Sequence, residues 1–420
     1  MFTTEENQRL TETGPGTDLG RLFRRYWIPA MLSERLPEAG GDPIELTLLG
    51  ELLVAFRGTD GKVAILGRHC PHRQVSLVLA RTEGCALRCV YHGWRIAADG
   101  QVLETPPEPP NSKFAQSVKH TSYPTVEAAG MVWTYMGPPE EQPPVPNWPF
   151  MSLPENQVWA NHFFQPCNYL QGLEGDLDAA HAGFLHHSDE EQEKQRHIEN
   201  ARTKFLFDSR PETAMQVADW GLQTLFAYKQ EDPSTKVVWI HPMVLPFFTL
   251  FGGTSAGEGG LMHAWVPCDD TSHFVYSIMW KSHAPISAEE RTTIDHSQKY
   301  SHIDKETYLS TEWTGDGYRQ HRDWMKTGKN FSGFSGIHAQ DLAVQYSMGQ
   351  IVDRTQEHLA TEDFLVINVR RHLLKLMALD TNSSATEIDY SQIPHGWLEV
   401  DTSVDLNEVI SSPLAVTQRS

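Results

Sequence analysis

Residues 69–94 read HCPHRQVSLVLARTEGCALRCVYHGW and place two cysteines and two histidines in two short groups. The first group pairs Cys70 with His72, the second pairs Cys89 with His92, and sixteen residues separate the two groups. A proline lies within the first group and a glycine follows the second, which places both groups at turns between short strand-like runs. Each group offers one thiolate and one imidazole, and together they form a candidate metal centre.

The order of these four residues distinguishes between two kinds of metal centre. A structural zinc site usually takes two cysteines from one arm and two histidines from the other. Here each arm mixes the two residue types. This order suits a two-iron cluster in which two thiolates hold one iron and two imidazoles hold the other. Zinc is the alternative for this donor set.

Composition excludes several classes of protein. The chain has 420 residues, and 34 basic against 54 acidic side chains give a formal charge of −20, which argues against binding nucleic acid or an anionic membrane surface. No apolar run approaches the length of a membrane span, and the first ten residues lack the features of a signal peptide. Five cysteines are too few for a disulfide scaffold. We therefore expect a cytoplasmic protein with no nucleic-acid or membrane partner.

Proline placement divides the chain. Residues 45–100 contain short apolar runs separated by glycine and aspartate, which is typical of a small antiparallel sandwich. The segment 138–150, PPEEQPPVPNWPF, has six prolines that neither a helix nor a central strand would accept. We therefore place a domain boundary near residue 150, which gives an N-terminal domain over 1–150 and a C-terminal domain over 151–420.

Beyond this boundary the pattern combines strands with helices. Strand-like runs fill residues 201–283, whereas residues 168–187 and about 338–360 have helical composition. The run FLVINVRRHLLKLMAL at 364–379 predicts one more buried helix. From about residue 382 the chain is polar, and we expect a tail or a surface excursion there.

A second candidate metal site lies in EGDLDAAHAGFLHH, residues 174–187. His181 and His186 are five residues apart, which is about 140° of rotation on an ideal helix. Both can reach one ion only near a helix end or an irregularity, which Gly183 would permit. Two imidazoles and one carboxylate form the facial triad of Fe(II) sites that activate oxygen. A histidine pair alone is a weak signal, because such pairs also occur on surfaces and in cores.

The motifs CPHRQVSL (70–77) and CVYHGW (89–94) resemble the Rieske [2Fe–2S] domain of the bacterial Rieske non-haem iron oxygenases. GPGTDLGRLFRRYWIPAM (14–31), GELLVAFR (50–57) and PPEPP (106–110) are similar to the phthalate-dioxygenase-like branch of that family. The resemblance implies an α+β fold. It consists of an N-terminal Rieske β-sandwich domain and a C-terminal catalytic domain that combines an antiparallel sheet with long helices, in the helix-grip or START-like arrangement.

The resemblance also implies a set of metal ligands. Cys70, His72, Cys89 and His92 would hold the [2Fe–2S] cluster. The pattern Asp178-x2-His181-x4-His186 resembles the mononuclear iron motif of the family. The third iron ligand would come from Asp341, because HAQDLAVQYSMGQIVDRT (338–355) resembles the setting of the family carboxylate. The other candidates for this ligand are Asp353, Glu357, Glu362 and Asp363.

Two further residues match family positions between the metals. Asp178 would accept the second ring N–H of His181 and bridge it to a Rieske histidine, His92, of a neighbouring subunit. This path implies a head-to-tail homotrimer, or a hexamer built from two trimers. Asn168 matches a position near the iron. The alternatives are an N-cap or surface role for Asp178 and a core hydrogen bond for Asn168.

The function implied is that of a terminal oxygenase. With O2 as co-substrate and electrons from a separate NAD(P)H-dependent flavin/iron–sulfur reductase, it would hydroxylate, dihydroxylate or O-demethylate an aromatic compound. The sequence has no convincing G-x-G-x-x-G motif after a strand, so nicotinamide chemistry is expected in that partner. One alternative is a Rieske electron-transfer protein without oxygenase chemistry, and a zinc-binding regulatory protein is another.

The sequence defines the substrate pocket less well than the metal centres. The candidates are His241, Met243, Val244, Phe247 and His338, and ordinary core packing is the alternative for each. Phthalate-type enzymes hold ring carboxylates with arginine, but the strand VVWIHPMVL contains none, and Ala179 lacks a hydroxyl. This departure disfavours phthalate itself and leaves an aromatic monoacid, a phenolic ether or a neutral aromatic.

Overall fold

The computed structural model describes residues 2–186, 210–230, 232–252, 259–379 and 387–411, except for the side chains of residues 296 and 297. Among these residues the N-terminal part is built mainly from short antiparallel strands. They are β1 Trp27–Leu32, β2 Ile44–Leu48, β3 Glu51–Arg57, β4 Val63–Gly67, β5 Arg81–Thr82, β6 Ala86–Arg88, β7 Arg95–Ala97, β8 Val102–Glu104, β9 Ser122–Tyr123, β10 Thr125–Ala128 and β11 Met131–Tyr135.

These strands form three small sheets with the orders β1-β11-β10, β2-β3-β4-β9 and β5-β6-β7-β8. The loop after β4 carries Cys70 and the loop after β6 carries Cys89. A compact apolar core surrounds the two cysteines and includes Phe56, Leu77 and Trp94. The β-hairpins therefore bring together two ligand groups that are separated in sequence.

The described residues of the C-terminal part are organised around one large antiparallel sheet. Nine described strands form it, with the order β12-β19-β18-β17-β16-β14-β15-β20 and β13 paired to β14. Its strands are β12 Val158–Gln165, β13 Glu212–Ala218, β14 Gly221–Lys229, β15 Thr235–Ile240, β16 Met243–Val244, β17 Phe248–Gly252, β18 Gly259–Asp269, β19 Ser272–Lys281 and β20 Gly396–Asp401. The mixture of this sheet with helices confirms the expected α+β class.

Helices pack against this sheet and against the N-terminal segment. The described helices are α1 Thr4–Thr11, α2 Asp18–Phe23, α3 Phe114–Ser117, α4 Tyr169–Leu177, α5 Ala182–Leu185, α6 Ala288–Gln298, α7 Arg322–Thr327, α8 Ile337–Ser347, α9 Phe364–Ala378 and α10 Leu406–Ser411. Helix α4 packs on β18 and on α8. It therefore lies between the sheet and α8, the helix that carries the candidate ligand Asp341. No helix in the described part of the chain combines the length and apolarity needed to cross a membrane.

One apolar core runs through both parts of the chain. Phe23 of α2 packs edge-on against Tyr169 of α4 and Phe247 before β17, with ring centroids 5.3 and 5.1 Å apart. Trp133 of β11 and Phe248 of β17 belong to the same buried cluster. Because packing is continuous across residue 150, the division into domains 1–150 and 151–420 stays a prediction.

The structure corrects two sequence-based expectations about the C-terminal region. The helix expected over 338–360 ends at Ser347, because Gly349 follows with a φ of +94° that breaks the helical path. The expected polar tail instead contains β20, which pairs with β15 along the sheet edge. Trp397 of this strand stacks on Trp239, with ring centroids 4.7 Å apart, and this contact holds the strand in place.

A buried ion-pair network fixes helix α4. Glu174 contacts Arg354 at 3.0 Å and Arg370 at 2.6 Å, and both arginines are almost completely buried. Arg370 also pairs with Glu357, and Arg354 donates to Asn7 of α1 at 3.1 Å. Burial alone would raise the pKa of Glu174, but the two guanidinium groups hold it below its usual range. The network ties α4 to α1, to α9 and to the segment after α8.

We expect Glu174→Gln to destabilise the fold by about 3 kcal/mol, because it leaves two buried guanidinium groups short of a carboxylate. The measurement is the urea midpoint of the holoenzyme at fixed protein concentration. Asp323→Asn is the matched control, since it removes the same charge from an exposed pair with Lys326 and should leave the midpoint unchanged. Equal midpoints for both variants would contradict a structural role for the network.

Candidate metal centres

The chain path around α5 brings His181 and His186 together. Helix α4 ends at Leu177, a turn follows, and the one-turn helix α5 lies between the two histidines. The imidazole centroids are 5.1 Å apart. The break between α4 and α5 lets both histidines face one point although they are five residues apart. A continuous helix would direct the two rings to different sides.

Helix α8 supplies a carboxylate to this histidine pair. Asp341 Oδ1 lies 3.5 Å from His181 Nε2 and 3.3 Å from His186 Nε2. The three ligand atoms lie within 4.8 Å of one another, and no other group of three His, Cys, Asp or Glu side chains in the described ranges is close enough to share an ion. Three of the other carboxylates considered are engaged elsewhere: Glu357 pairs with Arg370, Asp353 accepts the Thr355 amide and Asp363 accepts the Ala360 amide.

Hydrogen bonds on the far side of each ring orient the histidines. His181 Nδ1 donates to the backbone carbonyl of Asp178 at 2.5 Å, and His186 Nδ1 donates to Gln340 Oε1 at 2.6 Å. Since both acceptors are oxygens, each Nδ1 carries a proton, and each ring in its neutral form presents an Nε2 lone pair. Two such lone pairs beside the oxygen of Asp341 repel one another, and a shared cation, a metal ion or a proton, relieves that repulsion.

The electrostatics of the site also favour positive charge at its centre. Burial alone would lower the pKa of His181, but Asp341 and Asp178 raise it to about 9. Burial alone would raise the pKa of Asp341, but His186 and His181 hold it far below its usual range. A site that stabilises a cation between two imidazoles and a carboxylate fits a mononuclear Fe(II).

The second candidate centre lies on the loops of the small β-domain. Cys70 and Cys89 are buried and adjacent, and burial together with the neighbouring Cys89 raises the pKa of the Cys70 thiol to about 11. His72 and His92 lie further out, with ring centroids 4.5 Å apart. His92 Nδ1 is buried without a hydrogen-bond partner. Two inner sulfurs and two outer imidazoles, one with an unsatisfied nitrogen, fit the mixed ligation of a two-iron cluster.

The comparisons with known proteins agree with both centres. Residues 26–124 match the Rieske [2Fe–2S] domain, and residues 134–402 match a LigXa C-terminal domain-like family. The chain is 36% identical over 401 residues to the 3-chlorobenzoate-3,4-dioxygenase oxygenase subunit of Comamonas testosteroni, covering 90% of this chain and 89% of that protein.

The chain belongs to the Rieske non-haem iron oxygenase family.

A second relative, the phthalate 4,5-dioxygenase oxygenase subunit of Pseudomonas putida, is 34% identical over 414 residues, which cover 94% of this chain and 90% of that protein. The fold of this Rieske oxygenase is also that of dicamba monooxygenase, with a TM-score of 0.59 at 18% identity over 86% of this chain and all of the other. The protein is the oxygenase subunit of its system, and its cofactors are a Rieske cluster and a mononuclear iron that uses O2. The alternatives of a simple electron carrier and a zinc regulator are thereby set aside.

Asp178 is placed differently from the expectation for this Rieske oxygenase. Its backbone carbonyl, and not its carboxylate, accepts the ring N–H of His181, because α4 ends there and turns that carbonyl toward the ring. Carboxylate Oδ1 accepts the amides of Ala180 and His181 at 2.8 and 3.3 Å. Oδ2 lies 3.9 Å from His181 Nδ1, beyond hydrogen-bond distance, and the side chain is one-third exposed (33%). The carboxylate is therefore available to a group outside the subunit.

Asn168 also requires a correction. It is the buried N-cap of α4, where its Oδ1 accepts the Leu170 amide. Its Nδ2 donates to the carbonyls of Thr11 and Asp270, at 3.0 and 2.7 Å. Ten residues separate it from Asp178, which is about 15 Å along a helix. Asn168 therefore attaches α4 to the N-terminal segment, and its expected position near the iron is not observed.

The residues expected to line the substrate pocket fall into two groups. Met243, Val244 and Phe247 are fully buried in the main core. Both nitrogens of His241 face backbone carbonyls, of Leu250 at 2.8 Å and of Asp176 at 2.9 Å. In this structure these four residues have packing roles, and their assignment as substrate contacts stays a prediction. His338 differs from them, because it lies on α8 three residues before Asp341 and its Nε2 is buried without a partner.

Two features of the site had weak or no sequence signals. Gln340, which orients His186, immediately precedes Asp341. The Gln-Asp pair in HAQDLA is therefore a weak sequence signal for Gln340. Asp176 and His263 lie 87 residues apart and form a buried contact, at 3.1 Å, that no local pattern indicates. A pairing of this kind depends on which strand the helix packs against, and spacing in the sequence does not contain that information.

Proposed function

We propose that this Rieske oxygenase adds oxygen to the ring of an aromatic carboxylic acid, by hydroxylation or dihydroxylation. The observation that carries the proposal is that two relatives, similar over about nine-tenths of this chain, are dioxygenases named for 3-chlorobenzoate and for phthalate. A third relative, from Sphingobium sp., is a 5,5'-dehydrodivanillate O-demethylase oxygenase subunit at 28% identity over 90% of this chain. Oxidative demethylation of a methoxy-aromatic is therefore the second candidate.

We further propose which residues hold each metal. Cys70, His72, Cys89 and His92 would hold the Rieske cluster, and the facing Nε2 atoms of His181 and His186 with Asp341 would hold the iron. When bound, the iron activates O2 beside the substrate with electrons that arrive through the Rieske cluster. The backbone carbonyl of Asp178 and the side chain of Gln340 support this by keeping both Nε2 lone pairs directed at one point.

We propose a head-to-tail homotrimer, or a hexamer of two trimers, as the functional assembly. Exposed apolar side chains lie beside both proposed metal sites: Val90 and Tyr91 next to His92, and Phe184 of α5 with Phe331, whose ring centroids are 6.0 Å apart. Exposed apolar patches next to functional groups favour burial at an interface. Packing the first patch of one subunit against the second patch of the next would cover both.

Asp178 would connect the two sites across this interface. Its Oδ2 lies 3.9 Å from His181 Nδ1 on a side chain that is 33% exposed, and His92 is partly exposed beside the exposed Tyr91. With the buried Nδ1 of His92 facing the cluster, a hydrogen bond from its other ring nitrogen to Asp178 of a neighbouring subunit would link the two sites. This arrangement supports Asp178 as the bridge for electron transfer.

The electron donor would be a separate NAD(P)H-dependent flavin/iron–sulfur reductase. An oxygenase of the same fold, that of carbazole 1,9a-dioxygenase, is known in complex with a ferredoxin (TM-score 0.57, 20% identity over 90% of this chain). Of the basic residues near the Rieske loops, Arg68 and Arg88 are already paired with glutamates, whereas Arg73 is exposed beside Tyr91. A cytoplasmic location, where such reductases obtain NAD(P)H, is part of the same proposal.

The proposed reaction is tested by coupled oxygen consumption. Purified oxygenase with a surrogate reductase and NADH would be given benzoate, 3-chlorobenzoate, phthalate or vanillate, and O2 uptake would be compared with product. We expect stoichiometric coupling with a benzoate-type acid and a hydroxylated or diol product. Coupling with vanillate alone, accompanied by formaldehyde, would establish demethylation and contradict the ring-oxygenation proposal.

A further inference from the structure

A buried carboxylate–imidazole pair lies near the proposed iron site and has no part in holding the metal. Asp176, on α4, accepts hydrogen bonds from Thr249 Oγ1 at 2.5 Å, Trp265 Nε1 at 2.7 Å and His263 Nδ1 at 3.1 Å. Burial alone would raise the pKa of Asp176, but His263 and its other partners hold it below its usual range. With an ionised carboxylate as its acceptor, His263 Nδ1 must carry a proton.

The other nitrogen of His263 has no partner. His263 is 9% exposed, and its Nε2 is buried without a hydrogen bond. His338 is 7% exposed and has the same unpaired Nε2. The two rings are 6.0 Å apart between centroids. A buried polar atom without a partner costs about 1 to 3 kcal/mol. Such atoms occur elsewhere in the described residues, but two of them on adjacent rings from different elements of the fold point to a ligand that satisfies both.

The surroundings of these nitrogens suit a flat ring with one polar group. Phe251 lies beside His263, with ring centroids 4.7 Å apart, while Phe163 and Tyr300 lie beside His338, at 4.5 and 5.1 Å. His338 and Asp341 are three residues apart on α8 and share a face of that helix. Apolar walls with a few directed polar groups are typical of small-molecule sites, and this one is about one helical turn from the proposed iron ligand.

We propose that His263 Nε2, backed by Asp176, and His338 Nε2 together anchor the carboxylate of an aromatic monocarboxylate substrate. This inference rests on the proposed function and refines it. Because His263 Nδ1 donates to Asp176, its Nε2 donates to a carboxylate oxygen only when the ring carries a proton on both nitrogens. The proposal therefore places the imidazolium form of His263 in the complex, between the carboxylates of Asp176 and of the substrate. The two rings lie 6.0 Å apart between centroids, which is close enough for both to contact a single carboxylate. The anchor would hold the ring in a fixed orientation beside the iron.

The test uses His263→Asn in the iron-loaded holoenzyme, because the amide of asparagine can replace Nδ1 in the bond to Asp176 but has no counterpart of Nε2. Binding of 3-chlorobenzoate and of 3-chlorobenzamide would be measured by anaerobic calorimetry. We expect affinity for the acid to fall about tenfold to a hundredfold and affinity for the neutral amide to stay nearly unchanged. A purely structural role for His263 would weaken both ligands alike.

His372→Asn is the matched control, since His372 of α9 is a similarly buried histidine with an unpaired Nε2 and lies outside the contacts described above. It should bind both ligands as the wild type does. If His263→Asn loses its Rieske circular dichroism or its iron, His338→Asn, on a different element, should show the same selective loss for the acid. Equal weakening of acid and amide, or no weakening, overturns the anchor while acid binding by the wild type still supports the proposed function. A wild type that binds neither 3-chlorobenzoate nor benzoate overturns both.

Discussion

His181→Ala is expected to reduce product formation to below about one-thousandth of the wild-type rate, because it removes one of three proposed ligands from an ion with no other described protein ligand nearby. The Rieske cluster lies on separate loops, so its visible absorbance and circular dichroism should be unchanged. Iron analysis should fall from about three to about two atoms per chain, since two belong to the cluster. Product would be measured with excess surrogate reductase and the preferred aromatic acid.

His302→Ala is the control for this prediction, because His302 is an exposed histidine in a turn far along the chain from either ligand group. It should retain three iron atoms and full activity. Asp341→Asn should resemble His181→Ala in both iron content and activity. If His181→Ala keeps its third iron and turns over at a near-normal rate, the mononuclear site lies elsewhere.

Asp178→Asn is expected to keep both metals and slow single-turnover product formation by about a hundredfold or more. The amide oxygen of asparagine can still accept the Ala180 amide that Asp178 Oδ1 accepts, so the turn that orients His181 should persist. What the variant lacks is the negative charge and the free acceptor oxygen offered to a neighbouring Rieske histidine. Stopped-flow oxidation of the reduced cluster, with substrate and O2 present, would report the rate directly.

The matched control for this variant is Asp353→Asn. Asp353 is also an aspartate that accepts backbone and side-chain hydrogen bonds within a turn, from Thr355, but it lies on an exposed segment after α8. It should oxidise the cluster at the wild-type rate. Wild-type kinetics in Asp178→Asn, with normal iron content, would show that electrons reach the iron by a route that does not use this carboxylate.

Several parts of the fold and sites were predictable because their signals are local. The Cys–His groups lie within four residues of one another on each loop, and turn-forming residues beside them reveal the loops. The spacing of His181 and His186 predicted an interrupted helix, which α4 and α5 show. The choice of Asp341 came from resemblance, and its distances to both histidines agree with that choice.

Other features of the fold and the sites were not predictable from the sequence, for an identifiable physical reason. Asn168 matched a family position, yet its side chain caps α4 and contacts Thr11, a residue 157 positions away. The strand β20 was mistaken for a tail because its pairing with β15, and not its own composition, makes it a strand. The substrate candidates Met243, Val244 and Phe247 were apolar and near a sheet, but which face of that sheet they occupy depends on register.

By itself the sequence predicted the reaction class through its family resemblance. It predicted the two kinds of metal centre and the candidate ligand pairs because metal chemistry restricts residue type and spacing over a few positions. Only the tertiary structure decided which oxygen orients His181, what Asn168 does, and that Asp176 and His263 meet next to His338. Those outcomes depend on the packing of α4 and α8 against the sheet. Packing is a property of many distant residues acting together, and no short motif encodes it.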